Sequence, residues 1–304
     1  MGKAAFLFSG QGAQSVGMGK SLYDTVPAAA DLFRRAGDIL GYDLAALCFE
    51  GPAEKLNATS VCQPAIYVTA LAGLESFKVS HPEEAASAEG AAGLSLGEYT
   101  ALAFAGAFSF EDGLLLLQKR GEAMQRASDT ASGGMVSILG LENDVVEALC
   151  DEARGDDVLL PANYLCPGNV VVSGSSEACC RVASLAEARG AMKVVPLTVA
   201  GAFHTRLMGS ASDMLAQALD AVRFQTPRIP VYSNVDARFH SDPDEIRRIL
   251  LTQLTSPVLW ETSIRAMLDA GFDTFYESGP GRVLRGLMKR INRKIKPEGF
   301  NPAD

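Results

Sequence analysis

Apolar and polar positions along the chain change period several times, and each change marks an element. KAAFLFS (3–9) is a short continuous apolar run, which predicts a buried strand; the glycine-rich GQGAQSVGMG follows it. Helical spacing predicts helices near 27–39 and over about 63–78. AEGAAGLS (88–95) is small and apolar, and reads as a short strand leading through a turn at the serine into the helix EYTALAFAG. SFEDGLLLLQKRGEAMQRA (109–127) opens with Ser109 and, three residues on, Asp112, the signature of a capping box, and continues at helical period.

From about 128 to 199 the rhythm shortens. MVSILGL is strand-like, LENDVVEALCDEA helical, and VLLPANYL and NVVVSGS are strands joined by a Cys-Pro-Gly turn. SSEACCRVASLAEARG is helical again and AMKVVPLTV a strand, which completes the β-α-β-β-α-β order of a ferredoxin-like unit. The expected organisation is therefore a small subdomain, 128–199, inserted into a larger domain made of 1–127 and 200–304. After the insertion come a turn at GAFH, a helix over 205–222, the strand IPVYSNV and two or three more helices. A parallel sheet with helices on both faces is the economical α/β architecture for the outer segments.

The composition adds exclusions. No apolar run approaches the roughly 20 residues a membrane helix needs, so no membrane association is expected. AAFLF is too short for a signal peptide, so any targeting segment is expected to be absent or trimmed, and only the tail PEGFNPAD reads as disordered. Six cysteines lie scattered without CxxC or histidine-paired spacing, which predicts reduced, mostly buried thiols and no metal site. A net charge of −9 argues against nucleic-acid binding. That charge is uneven: Arg282 to Lys296 holds seven Lys or Arg and no acid, leaving 20 basic against 36 acidic residues elsewhere.

Candidate chemistry begins at Gly93-x-Ser95-x-Gly97, the pattern of a nucleophile elbow, in which a strained strand-to-helix turn lifts a serine hydroxyl out of the sheet. An ordinary tight turn has the same spelling. A serine nucleophile needs a base, and the chain has three histidines. His81 and His240 fall in charged loops, whereas His204 follows the apolar stretch VVPLTVAGAF at the start of a helix; elimination favours His204, although a structural histidine at a strand end reads the same way. In the helix after Ser109, Arg120 lies on the apolar stripe of 113, 116, 117, 123, 124 and 127. An inward cation should have an anionic partner. That partner is either an internal carboxylate or a substrate carboxylate, which a guanidinium grips with two parallel hydrogen bonds. Two nucleotide motifs fail: the P-loop pattern ending at Met18-Gly19-Lys20-Ser21 has Gln14 in place of its first glycine, and Gly10-Gln11-Gly12 reaches Ser15 where the dinucleotide fingerprint requires glycine.

FSGQGAQSVGMG, CQPAIY, GLSLGEYTAL, RGEAMQ, NYLCPGNVVVSG, GAFHTRLM, SNVDA, QLTSPVLWE and ESGPGRVLRGL, taken in order across the whole chain, resemble the malonyl-CoA:acyl carrier protein transacylases. The resemblance implies an α/β-hydrolase-like large domain with a ferredoxin-like insertion. It implies malonyl transfer from coenzyme A to the phosphopantetheine thiol of acyl carrier protein, with the coenzyme A thioester as substrate and no permanently bound cofactor. In that family's mechanism Ser95 is the nucleophile, His204 the base, the Gln253 carbonyl its orienting partner, and the N–H groups of Gln11 and Leu96 the oxyanion hole. Arg120 corresponds to the arginine that holds malonate's free carboxylate; Phe203 crowds the α-carbon, and Gln63 and Asn163 match polar pocket positions. The chain departs from the bacterial pattern in two places, with Leu94 where GHSLG has histidine and Ser9 where PGQG has proline. The wording of 93–113 and 199–205 is similar to plant and algal enzymes, so the chloroplast stroma is the expected compartment, the bacterial cytoplasm being the alternative; a monomer is the default expectation. The basic segment, through Arg282, Arg285, Lys289 and Arg290, is the expected docking surface for an acidic carrier protein, a solvated helix face being the plainer reading. A serine esterase, a polyketide-type acyltransferase and an inactive carrier-binding scaffold are the competing functions.

Overall fold

The computed structural model describes residues 2–299. Strand β1 (Lys3–Phe8) is buried at every position but its first, and has parallel partners on both sides, β2 (Ala88–Gly93) and β8 (Phe272–Ser278). With β7 (Val231–Tyr232) beyond β2 and β9 (Glu298–Gly299) beyond β8, the sheet runs β7-β2-β1-β8-β9 and every pairing is parallel. A central parallel strand is covered on both faces and so needs a continuous apolar run, which Ala4 to Phe8 provides.

Strand β8 lies where only helices were expected. Polar residues conceal it: Asp273 and Thr274 are exposed, while Glu277 is buried. The Glu277 carboxylate accepts from the N–H groups of Leu284 and Arg285, at 2.8 and 2.9 Å, and so caps the helix Val283–Ile291 with negative charge at its N-terminus.

A second sheet holds β3 (Gly133–Leu139), β4 (Leu159–Cys166), β5 (Asn169–Ser175) and β6 (Lys193–Pro196) in the order β4-β5-β3-β6, antiparallel throughout. Alternation along its strands gives it two faces. Val136, Ile138, Val170 and Val172 meet the helices Asn143–Arg154 and Ser176–Ala188. Met135, Ala162 and Val171 instead join the core around the large sheet. The Val258 N–H donates to the Ala162 carbonyl (2.8 Å) and the Tyr164 N–H to the Val258 carbonyl (2.9 Å), tying β4 to the outer segment.

Three elements are shorter than their sequence pattern suggests. AMKVVPLTV is a strand only to Pro196, after which 197–199 turn to line a cavity. The region 205–222 divides into a 3-10 turn, Arg206–Ala211, and the helix Ser212–Asp220. In IPVYSNV only Val231 and Tyr232 pair with β2, because Asn234 is drawn aside into the site described below. The tail expected to be disordered instead contributes Glu298–Gly299 to the sheet edge; the rest of it, 300–304, lies outside the described residues. Five of the six cysteines are buried, Cys180 is exposed, and all are free thiols. Among the described residues no helix is long and apolar enough to cross a membrane.

Candidate active site

At the carboxyl end of β2 the chain reverses into the helix Leu96–Phe104, with Ser95 at φ 53°, ψ −104°. Such a conformation is strained for a non-glycine residue and persists only where its surroundings enforce it. Both flanking glycines are steric necessities: a Cβ on Gly93 would lie 1.9 Å from the Gly97 carbonyl carbon, and one on Gly97 would lie 2.2 Å from the Phe8 oxygen. Asn234 braces the turn from outside. Its Oδ1 accepts from the Ser95 N–H (2.7 Å) and its Nδ2 donates to the Gly93 carbonyl (2.8 Å), spanning Leu94. Sequence reasoning missed Asn234; a polar Ser-Asn pair closing an apolar strand was the available signal.

Ser95 Oγ lies 2.9 Å from His204 Nε2, and His204 Nδ1 lies 2.9 Å from the Gln253 carbonyl oxygen. A carbonyl can only accept, so Nδ1 carries the proton and Nε2 is left as the acceptor for the serine hydroxyl. The imidazole is 3% exposed. Burial, and after it the Arg120 guanidinium, lower its pKa to about 4, so the ring is neutral and able to accept a proton at neutral pH. Inactivation of Ser95 by an uncharged sulfonyl fluoride is therefore expected to hold its rate as pH falls through 6.5 and to halve only near pH 4. Below that midpoint the ring binds its own proton and stops acting as a base. In Arg120→Ala the midpoint should rise while staying below 6.5, because burial, the larger cause, remains. A wild-type midpoint at 6.5 would contradict this account.

Arg120 lies on the buried stripe of the helix Phe110–Thr130, at 1% exposure. Ser109 caps that helix, accepting from the Asp112 N–H (3.0 Å), while its own hydroxyl donates to the Asp112 carboxylate (2.8 Å). The guanidinium donates through Nη1 to Gln63 Oε1 (2.8 Å) and through Nη2 to Ser95 Oγ (3.0 Å) and Gln253 Oε1 (3.1 Å). It also rests over the Tyr99 ring, 5.3 Å from the centroid. Among the described residues it forms no ion pair, and its Nε has no acceptor. The inward cation is thus held by amide oxygens and the Ser95 hydroxyl, and an anion entering the pocket would find a guanidinium not already neutralised by direct contact.

These groups border a cavity of about 460 Å³ between the two sheets, lined by Gly10, Gln11, Ser95, Arg120, Asn163 and Phe203 among others. Asn163, on β4, presents a buried Oδ1 with no partner among the described residues. Gln63 does not reach the wall; it stands behind Arg120, its Nε2 directed at Met124 Sδ (3.4 Å). Leu96 is buried at the start of its helix, where backbone N–H groups have no intrahelical acceptor. Gln11 is in the loop after β1. Neither amide has a hydrogen-bond acceptor among the described residues. The other two histidines lie elsewhere: His81 stacks on Phe77, and His240 bonds Asp236 and Glu245. Val283, opening the basic helix, is at the cavity's rim.

Residues 5–296 match the acyl transferase domain family. The malonyl CoA-acyl carrier protein transacylase of Bacillus subtilis is 43% identical over 297 residues, covering 97% of this chain and 92% of that protein. The solved malonyl-CoA:acyl carrier protein transacylase of Xanthomonas oryzae superposes with a TM-score of 0.95 at 39% identity, over 100% of this chain and 96% of that one. A malonyl-transacylase solved in complex with a type II PKS acyl-carrier protein superposes with a TM-score of 0.94 at 36% identity, over 98% and 96%. Similarity of this extent leaves no part of either sheet unaccounted for. The chain belongs to the malonyl-CoA:acyl carrier protein transacylase family.

Proposed function

We propose that this chain transfers malonyl groups from malonyl-CoA to the phosphopantetheine thiol of acyl carrier protein, supplying fatty acid synthesis. The observation that carries the reading is the place of Ser95 Oγ, 2.9 Å from a base and 3.0 Å from a buried guanidinium to which, among the described residues, no acid is bound. His204 takes the Ser95 proton as Oγ adds to the malonyl thioester carbonyl. The N–H groups of Gln11 and Leu96 receive the oxyanion. The C–S bond then breaks, coenzyme A leaves as a thiol carrying the proton from His204, and a seryl ester remains. The carrier thiol repeats the steps in reverse order. One acyl bond replaces another at each stage, so the chemistry balances without a resident cofactor or metal.

Arg120 orients the free carboxylate, with Gln63 and the Gln253 side chain holding the guanidinium from behind. Phe203 crowds the α-carbon, and Asn163 offers its unpaired oxygen to an amide N–H of the pantetheine arm. Intact-mass measurement after brief exposure to malonyl-CoA tests the function: a malonyl adduct should form and be discharged by holo acyl carrier protein. An adduct released only to water would make the chain a hydrolase.

The carrier surface we assign is the basic helix at the cavity rim, and its residues are not equivalent. Arg285 is bonded to Glu277, and Arg290 donates to the Pro167 and Gly168 carbonyls, so both also hold the fold together. Lys289 and Arg293 are exposed and form the steering part of the patch. Lys289→Glu combined with Arg293→Glu should raise the KM for carrier protein about tenfold, in a salt-dependent way, and leave the rate of Ser95 acylation by malonyl-CoA within about twofold. Unchanged carrier dependence would remove this surface from the proposal. The plastid compartment rests on motif wording alone; finding the protein in isolated stroma would support it.

A further inference from the structure

Glu98 takes no part in the reaction above, yet it is a buried carboxylate, 3% exposed, one turn along the helix from the nucleophile. Its Oε2 accepts two hydrogen bonds, from the Asn234 backbone N–H (3.0 Å) and from Gln253 Nε2 (2.7 Å). Each donor leads to the reacting groups in one further step. Asn234 holds the Ser95 N–H and the Gly93 carbonyl, the two ends of the strained turn. Gln253 reaches the other partners. Its Nε2 also donates to the Ser95 carbonyl (3.1 Å), its Oε1 accepts from Arg120 Nη2 (3.1 Å), and its backbone carbonyl accepts from His204 Nδ1 (2.9 Å).

An amide has one donor end and one acceptor end, so the acceptor at Glu98, which makes the shortest of the Gln253 side-chain bonds, fixes together with the Ser95 carbonyl and the Arg120 donor which way that side chain points. Reversed, it would set its NH2 against the guanidinium, donor facing donor, and its oxygen against the carboxylate. We propose that Glu98 is a positioning residue for the whole reacting set: its Oε2, shared between Asn234 and Gln253, holds the serine turn, the imidazole and the guanidinium in one register. Glu98 bonds neither Ser95 Oγ nor the imidazole, so it acts through the two residues it binds.

An acceptor at this place is what the arrangement requires, and charge is secondary. Burial, the largest influence, pushes the Glu98 carboxyl up to about 7, so near neutral pH both its forms are present. Among the described residues no donor reaches Oε1, and Glu98 borders a small void with Ser233 and Ile246. A proton on Oε1 leaves Oε2 accepting both bonds, as would the carbonyl of a glutamine.

Two substitutions separate acceptor from charge. Glu98→Gln keeps the acceptor and loses the charge; Glu98→Asp keeps the charge and withdraws the oxygen by one methylene. The proposal rests on malonyl transfer through Ser95, so the wild type is measured first. A wild-type chain that forms no malonyl adduct would take both readings down together. With the adduct in hand, Glu98→Gln should acylate within about threefold of wild type, and Glu98→Asp about 10- to 100-fold more slowly. Glu98→Asp should also lose about tenfold of the malonyl-over-acetyl preference, because Gln253 no longer fixes Arg120. Rates are expressed per folded molecule by circular dichroism, so a loss of folding alone moves neither quantity. The proposal fails on its own if Glu98→Gln is as slow as Glu98→Asp, if Glu98→Asp matches wild type, or if Glu98→Asp is slow with an unchanged preference.

Discussion

Ser95→Ala should form no malonyl adduct and should lose about 10⁴-fold or more of the transfer rate. The size of the loss follows from how the site divides its labour. Among the described residues His204 Nε2 has one hydrogen-bond partner, Ser95 Oγ, so without the hydroxyl the base has no proton to take. The two backbone amides and the guanidinium remain, and with them binding and oxyanion stabilisation, but no nucleophile is left in the cavity. Affinity for malonyl-CoA should therefore change little. Arg120 Nη2, which gives one of its bonds to Ser95 Oγ, becomes more available to the substrate carboxylate in the variant. Isothermal titration for binding, beside intact mass for the adduct, separates the two effects. A persistent adduct in Ser95→Ala would place the nucleophile elsewhere.

The parts of this site that could be read from the sequence are those where local sterics or local periodicity dictate a residue. Gly93 is legible because the backbone four residues on excludes a Cβ there, and Gly97 because it completes the local spacing of the turn, although the atom its Cβ would strike, the Phe8 oxygen, belongs to β1. Arg120 is legible because a charge on the buried stripe of an amphipathic helix is an anomaly against its neighbours. Glu98 offers no such contrast. The helix Leu96–Phe104 is buried at every position from Leu96 to Leu102, so no stripe exists for a polar residue to violate, and an acid in a helix's first turn is ordinary. Gln63 is hidden in the same way, in a long helix buried nearly all round. Asn234 and the side chain of Gln253 act on Ser95 across 139 and 158 residues of sequence, and no window along the chain spans such contacts. Strand β8 escaped for a related reason: its buried Glu277 serves the next helix instead of breaking the sheet, which only the folded chain reveals.

Arg120→Ala should lower kcat/KM for malonyl-CoA by about 30- to 3,000-fold, the range expected when one partner of a buried, hydrogen-bonded charge pair is truncated. Acetyl-CoA presents a methyl group where malonyl-CoA presents a carboxylate. In the wild type that methyl leaves the guanidinium desolvated and without an anion, so acetyl transfer receives no benefit for the variant to lose, and its rate should change by less than about tenfold. The ratio of the two substrates is the informative quantity. Truncation also strips Gln63 Oε1 and Gln253 Oε1 of their donor, which costs stability and disturbs the support of His204 for both substrates alike. Arg120→Lys sharpens the test. A lysine keeps the charge but presents a single ammonium in place of a fork, so it cannot satisfy two amide oxygens and a carboxylate together. It should recover only part of the malonyl preference. Equal losses for malonyl and acetyl substrates in Arg120→Ala would mean that the guanidinium serves only to hold Gln63, Gln253 and the serine in place, and substrate selection would have to come from elsewhere in the cavity.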